Sequence, residues 1–365
     1  MAVLIPCAGR SSRYPGMRPK FLLTLPDGKA MFEAAAKEHV KSDVLHFAFL
    51  QEHVEEYDLE NVMKRSDIAS ADGNMFVLSE VTSGPAETVY RMLNHGLESG
   101  TIKKDEPILI KDCDSFAKTD LDFDQQTEGN YVVVADLKKF PEITNVAAKS
   151  FAVLNENNLI TNIVEKDVVS NYICTGMYGF ASAEKYVSAY MSLKEKANDG
   201  EEIFISHVIK ELLQDEPFEA VQAKDFVDCG TYDDYVKVQE QYATYFIDLD
   251  GTIWFNQSKL FENHYATPKT PIPAAVEYFL DKVNRGAKLI FTTARPESER
   301  VGVENMLFNQ LGFPRTRVIM GLPHGPRVLV NDFSKSNPGP SAIAINATRD
   351  SNAFWKGLKW YVYVH

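Results

Sequence analysis

The chain has 365 residues, 45% hydrophobic and 24% charged. This is ordinary globular usage, which excludes a disordered, collagenous or low-complexity protein, and at about 150 residues per domain it predicts two domains. Lys and Arg number 38 against 51 Asp and Glu, a net charge of −13, which excludes general attraction to nucleic acid or anionic lipid and leaves room only for local anion sites.

The first element is an apolar strand, Ala2 to Pro6, followed by Gly9, Arg10, Ser11, Ser12 and Arg13 and then by Pro19-Lys20. A strand that delivers a Gly/Ser loop flanked by basic residues suits a triphosphate, because outward backbone N–H groups and cations meet its oxygens. Further strands are expected at Val44 to Leu50, Met75 to Leu78, Ile108 to Ile110, Tyr131 to Ala135 and Tyr178 to Phe180. Helical patterns alternate with them at Met31 to Val40, Glu87 to Gly96, Ala183 to Lys196, Glu202 to Leu213 and Tyr232 to Tyr242. Such alternation predicts a mostly parallel sheet with ligands at the carboxyl ends of its strands.

Polar groups recur at those ends. Gly84-Pro85-Ala86-Glu87-Thr88 opens a helix, Asp112 and Asp114 follow Ile108 to Lys111, Glu165-Lys166 follows a strand-like stretch, and Asp228-Cys229-Gly230-Thr231 precedes the helix from Tyr232. Carboxylates so placed suit magnesium, which prefers oxygen ligands and is commonly held by one or two carboxylates plus substrate phosphates. Asp112 reads as structural beside Asp114. Cys7, Cys113, Cys174 and Cys229 are too dispersed for a zinc cluster or a disulfide scaffold and read as buried small hydrophobes. No run approaches about 18 apolar residues, and MAVLIPCAGR lacks the basic start and apolar stretch of a signal peptide, so a cytoplasmic protein is expected.

After Tyr242 the layout repeats: Tyr245 to Ile247 is a strand ending in Asp248-Leu249-Asp250-Gly251-Thr252. With almost no Gly, Pro or Ser before it, the linker is very short, and the seam is placed at 242/243. Lys288 to Thr292 is a strand ending at Thr293, and Val328 to Val330 is read as another, ending in Asn331-Asp332. Asn337-Pro338-Gly339-Pro340 must be a loop. The aromatic tail with Trp355 and Trp360 is read as finishing a core, and His324 as the histidine nearest a site.

Taken together, residues 1 to about 240 resemble the sugar-phosphate nucleotidyltransferase family, with Ser11 standing where its commonest loop has a second glycine. The resemblance implies that Ala8, Gly9, Arg10, Ser11, Ser12 and Arg13 form the nucleotide-phosphate loop, with Arg13 and Lys20 stabilising charge at the reacting phosphate. It places Gly84 and Thr88 at the nucleobase and ribose, Asp114 and Asp228 on Mg2+, and Glu165, Lys166 and Gly176 at the acceptor and its phosphate. Residues 244 to about 350 resemble the haloacid-dehalogenase-like (HAD) phosphohydrolases, which implies Asp248 as nucleophile, Asp250 as general acid/base, Thr293 on the phosphate and Asp332 with Asp248 and Asp250 at a second Mg2+. The neutralising cation has no clear match, with Arg327 and Lys335 as candidates and Arg295 as a lesser one.

The implied fold is α/β throughout: two Rossmann-like domains, a mixed nucleotidyltransferase sheet with flanking helices over 1–242 and a parallel HAD-like sheet over 243–365. The short interval from Asp250 to Thr293 leaves little or no cap. The implied substrates are a nucleoside triphosphate and a small phosphorylated acceptor. The expected activity is bifunctional: nucleotidyl transfer with release of pyrophosphate, joined to phosphate-ester hydrolysis, as consecutive steps of activated-sugar synthesis for a surface polysaccharide or glycan. Two alternatives stand beside it: CTP-dependent activation of a phosphorylated alcohol or amine, such as phosphocholine or glycerol phosphate, and a second domain that senses phosphate without turnover.

Overall fold

The structure, a computed structural model, describes residues 1–37, 44–66, 68, 74–121, 129–141, 143, 145–198, 200–256, 269–332 and 341–358. Lys335, the loop 337–340 and Trp360 lie outside the described residues, as does the end of the helix expected to reach Val40. The chain divides into two compact units, Met1–Tyr235 and Val236–His365, the division falling inside the helix over Tyr232–Gln241. Among the described residues no helix is long and apolar enough to cross a membrane.

In the first unit the strands are β1 (Ala2–Pro6), β2 (Val44–Leu50), β3 (Asn74–Leu78), β4 (Ile108–Lys111), β5 (Ser115–Lys118), β6 (Asn130–Asp136), β7 (Ser150–Leu154), β8 (Ile160–Glu165), β9 (Tyr172–Phe180), β10 (Phe218–Gln222) and β11 (Asp225–Asp228). The main path of the large sheet runs β10-β6-β9-β4-β1-β2-β3. Strand β1 is central because it is apolar on both faces: Ala2 and Leu4 enter one core cluster, Val3 and Ile5 the other. Its neighbours β2 and β4 are both parallel to it. The helices are α1 (Met31–Ala36), α2 (Gln51–Tyr57), α3 (Leu59–Arg65), α4 (Pro85–Ser99), α5 (Ala183–Lys196), α6 (Ile205–Leu212) and α7 (Tyr232–Gln241). In α4, Pro85 opens the first turn, and Val89, Met92, Leu93 and Gly96 bury one stripe at helical spacing.

The sheet is mixed, as the resemblance implies, and not mostly parallel, as strand–helix alternation alone predicts. Strand β9 runs antiparallel to β4, β6 and β7, and β7 antiparallel to β8. The short link from β7 to β8 makes that pair a hairpin, since a parallel return needs a crossover of about a dozen residues or more. A two-stranded ribbon pairs β11 with β5 in antiparallel register, Asp228 opposite Ser115. All four cysteines are free and buried.

The second unit holds a parallel sheet of β12 (Thr244–Asp248), β13 (Lys288–Thr292) and β14 (Val318–Ile319), with α8 (Pro273–Asn284), α9 (Arg300–Glu304) and α10 (Asn352–Gly357). Its core joins Ile247, Leu249, Trp254, Phe279, Phe291 and Trp355. The ring of Trp355 lies 5.5 Å from Tyr278 and 5.1 Å from Phe279, so this part of the aromatic tail completes a core. The strand expected at Val328 to Val330 is corrected. The segment forms no ladder, and Val328 and Val330 are 79% and 91% exposed. Val318–Ile319 takes the edge of β13 instead, and an apolar run without a partner for its N–H and C=O groups is not a strand.

Candidate active site

The loop after β1 leaves the sheet at the carboxyl edge. Cys7 N still donates to Ala48 O (2.9 Å), and Cys7 and Ala8 are buried, whereas Gly9, Arg10, Ser12 and Arg13 are exposed. Ser11 has φ of 53°, the left-handed region that favours glycine, which is where the commonest loop of the resembling family has one. Its side chain explains its presence: Ser11 Oγ accepts from Lys20 N (2.8 Å), and Ser11 O accepts from Tyr14 N (2.8 Å). Tyr14, buried, reaches the carbonyls of Cys229 and Thr231, the second at 2.9 Å, and Arg13 Nη1 donates to Gly230 O (3.4 Å). The Gly9–Arg13 loop and the Asp228–Thr231 turn are thereby one assembly.

These two roles of Ser11 predict a measurable asymmetry. Ser11→Ala keeps the strained φ and loses the anchor of Lys20, and is expected to cost about 1 kcal/mol. Ser11→Gly loses the same bond but relieves about 1 kcal/mol of backbone strain, so its urea midpoint should stay near that of the parent.

Two lysine–carboxylate pairs lie across the turn. Lys20 Nζ is 2.5 Å from Asp114 Oδ2, and Lys149 Nζ is 2.5 Å from Asp228 Oδ2. The β5–β11 pairing, continued by Cys229 N donating to Asp114 O (2.8 Å), brings the two carboxylates together. A Cβ built on Gly230 would lie 3.3 Å from Asp228 Oδ1, 3.7 Å from Asp114 Oδ2 and 3.7 Å from Lys149 Nζ, which locates their convergence. Burial alone would raise Asp114, but Lys20 and then Lys149 hold its carboxyl below the usual range. The same pairing raises Lys20 against the effect of its burial. At Asp228 burial prevails over Lys149 and pushes the carboxyl up. Asp112 is pushed up to about 6, by burial first and by Asp114 second. Its backbone N donates to Gly176 O (2.8 Å), and the buried Lys111 Nζ donates to Asp112 O (2.8 Å), so this turn is braced from both sides.

Next to Lys149 along the cleft, Glu165 Oε2 accepts from Ser150 Oγ (2.5 Å) and from Ser206 Oγ (2.7 Å), leaving Glu165 oriented by two hydroxyls. Lys166 has φ of 54°, its N donates to Lys149 O (3.0 Å), and its ammonium sits 4.1 Å above the ring of Phe204. Thr88 is buried, with its hydroxyl 2.7 Å from that of Thr82 and 3.3 Å from Gly84 O, so it holds the turn that shapes the rim. Every residue expected at the first site, from Ala8 to Asp228, lines one cleft of about 430 Å³. The same cleft includes Tyr14, Lys149, Ser150, Phe204 and Ser206, which sequence reasoning missed. Isolated Lys and Ser residues carry no spacing signal; only the sheet register makes them neighbours.

In the second unit Asp248 ends β12 and reaches solvent. The surrounding protein and then Asp250 push its carboxyl up, against Arg327 and Arg349. Asp250 is differently placed. Its Oδ1 accepts from Arg295 Nη2 (2.7 Å) and Trp254 Nε1 (2.9 Å), and its Oδ2 accepts from Arg295 Nε (2.9 Å). Arg295 is 1% exposed and lies against the Trp254 ring, 5.6 Å to its centroid. Thr293 Oγ1 accepts from Arg295 N (3.1 Å), so Thr293 shapes the turn that presents Arg295. Arg327 donates to Pro323 O (2.8 Å) and Gly325 O (2.7 Å), and His324 and Asp332 are exposed.

The expected cluster of Asp248, Asp250 and Asp332 is corrected: among the described residues no group of three or more His, Cys, Asp or Glu side chains is placed to hold a metal ion. The physical reasons are the missing strand before Asp332 and the arginine already on Asp250. Removing that arginine, in Arg295→Met, leaves Asp250 and Trp254 facing an apolar wall. The change is expected to cost about 2 kcal/mol, read in urea unfolding of the full chain, with Lys at 295 recovering only part because it lacks the two-pronged geometry.

No family model matches the chain, and no curated protein resembles it in sequence. Solved structures do share the fold of about two thirds of it. A nucleoside-diphosphate-sugar pyrophosphorylase from Vibrio cholerae RC9 superposes with a TM-score of 0.55 at 21% identity, over 65% of this chain and 98% of that one. A protein assigned as a glucose-1-phosphate thymidylyltransferase from Bacillus anthracis, in complex with a sucrose, superposes at 0.51 and 17% identity, over 65% of this chain and 94% of that one. At these identities the likeness is one of fold.

Proposed function

We propose that the first unit transfers a nucleotidyl group from a nucleoside triphosphate to a small phosphorylated acceptor, of the sugar-phosphate class, with release of pyrophosphate. One observation carries the reading: the exposed Gly9–Arg13 loop, the Lys20–Asp114 pair and Asp228 meet in a single cleft at the carboxyl edge of the sheet. The fold likeness favours the sugar class of acceptor.

The reaction asks for little covalent chemistry from the protein. An oxygen of the acceptor phosphate forms a bond to the α-phosphorus, the α–β bridging bond breaks, and its electron pair leaves with pyrophosphate. The attacking phosphate is already anionic, so no general base is required; positioning and charge neutralisation do the catalysis. The Gly9–Arg13 loop binds the triphosphate oxygens with backbone N–H groups and Arg10 and Arg13. Lys20 stands where charge grows on the phosphate being transferred. Glu165, oriented by Ser150 and Ser206, meets acceptor hydroxyls, and Lys166 meets the acceptor phosphate. The converging oxygens of Asp114 and Asp228 are the hard donors that suit Mg2+, which when bound neutralises phosphate charge and orients the oxygens.

The test is magnesium-dependent pyrophosphate release by the full chain, from each of five common triphosphates against sugar 1-phosphates and phospho-alcohols. Release with a sugar phosphate supports the reading. Release only with phospho-alcohols replaces the acceptor class, and none with any pair rejects the reading.

For the second unit we propose a phosphate site without turnover, in which Arg327 and Arg349 beside Asp248 would supply the positive charge, because both oxygens of Asp250 already accept from Arg295 and Trp254. Orthophosphate release from bisphosphorylated sugars that disappears in Asp248→Asn would overturn this in favour of hydrolysis.

A further inference from the structure

Lys149 is unassigned by the reaction above, yet it touches both halves of the site. It closes the short turn before β7, its N donating to Val146 O (3.1 Å), and its carbonyl accepts from Lys166 N (3.0 Å). Its ammonium lies on Asp228 Oδ2, 2.5 Å away, with the lysine side chain 17% and the aspartate side chain 11% exposed. Lys20 does the same for Asp114. Two converging carboxylates in a low-dielectric cleft need counter-charge, and these lysines supply it.

A divalent cation on those carboxylates would sit about 2.1 Å from their oxygens. An ammonium that kept its place on the same oxygen would then face a double positive charge at close range, in a cleft that screens it poorly. Lys149 must therefore give way. Asp112, Asp114 and Glu165 also lie near it, but Lys20 pairs with Asp114 and Ser150 and Ser206 bond Glu165, and the backbone bond to Lys166 keeps Lys149 beside the residue proposed to meet the acceptor phosphate, which brings new negative charge to this part of the cleft.

Building on the proposed reaction, we propose that Lys149 is an exchange cation, paired with Asp228 before the divalent ion binds and moved to the acceptor's phosphate when it does. Metal and phosphate then bind cooperatively, and the acceptor phosphate is gripped by Lys149 as well as Lys166. Lys149 is thus a substrate-binding residue whose availability the metal controls.

The experiment uses the full chain, Mn2+ alone followed by its paramagnetic resonance signal, and inorganic phosphate followed by calorimetry. In the parent, phosphate should tighten Mn2+ binding, and Mn2+ should tighten phosphate, by the same factor of about 10. In Lys149→Met, Mn2+ alone should bind about 10-fold tighter, because its internal competitor is gone, and the mutual tightening should vanish. Lys149→Arg should restore the coupling. A parent with no coupling, or a folded Lys149→Met that keeps it and binds Mn2+ no more tightly, overturns the proposal; Lys149→Gln decides if the Met variant does not fold. These readouts need no turnover. Intact coupling without nucleotidyl transfer would sink the reaction and leave the exchange, and transfer without coupling the reverse.

Discussion

Asp114→Asn should lower the rate of nucleotidyl transfer by about 10³-fold while leaving triphosphate affinity within about threefold of the parent. Asp114 is nearly buried, held ionised by Lys20 at 2.5 Å, and converges with Asp228 on one point in the cleft. The amide removes the charge that a hard cation needs and leaves Lys20 without its partner. The nucleotide's grip should survive, because Gly9, Arg10, Ser12 and Arg13 lie on a different element and face solvent. Lys20→Met should fall as far by the opposite route, losing positive charge at the reacting phosphate. Single-turnover rates with separately measured triphosphate binding check both. A loss confined to affinity would place this pair in nucleotide binding and away from the reacting phosphate.

Gly176→Ala should destabilise the first unit by about 4 kcal/mol. Its φ of 81° is one that side chains rarely adopt, and a Cβ there would lie 2.5 Å from Asp112 Oδ2 and 2.6 Å from Ser115 Oγ. Neither neighbour is free to retreat, since Asp112 N is bonded to Gly176 O and Ser115 Oγ to Thr175 O at 2.7 Å. Strain of about 1–3 kcal/mol and overpacking of similar size therefore add. The urea midpoint should drop with the slope unchanged. A variant as stable as the parent would mean that the turn over Asp112–Ser115 relaxes, and the placement of Asp114 with it.

Much of the first unit is legible in the sequence, for physical reasons. A strand buried on both faces, such as β1, must be apolar throughout, so Ala2–Pro6 announces itself. The loop beyond it, small and basic, is equally visible, and it lines the cleft. What the sequence hides is register. Lys149 and Asp228, or Glu165 and Ser206, are far apart along the chain and meet only through strand pairing and helix packing that local patterns do not encode. The second unit shows the opposite failure. Val328 to Asp332 has the composition of a strand, but β13 takes β14 as its neighbour and the segment stays unpaired in any ladder and exposed. Arg295, a lesser candidate for neutralising phosphate, is instead buried on Asp250, a partnership that no spacing rule predicts.

The most direct test of nucleotidyl transfer is phosphorus NMR of the full chain with Mg2+, a triphosphate and a sugar 1-phosphate, followed over time across the substrate panel. Nucleotidyl transfer predicts, for at least one pair, a new set of coupled diphosphate resonances growing in step with pyrophosphate. Triphosphate consumed only to orthophosphate and a nucleoside diphosphate, or bound yet unconsumed with every acceptor, would contradict it.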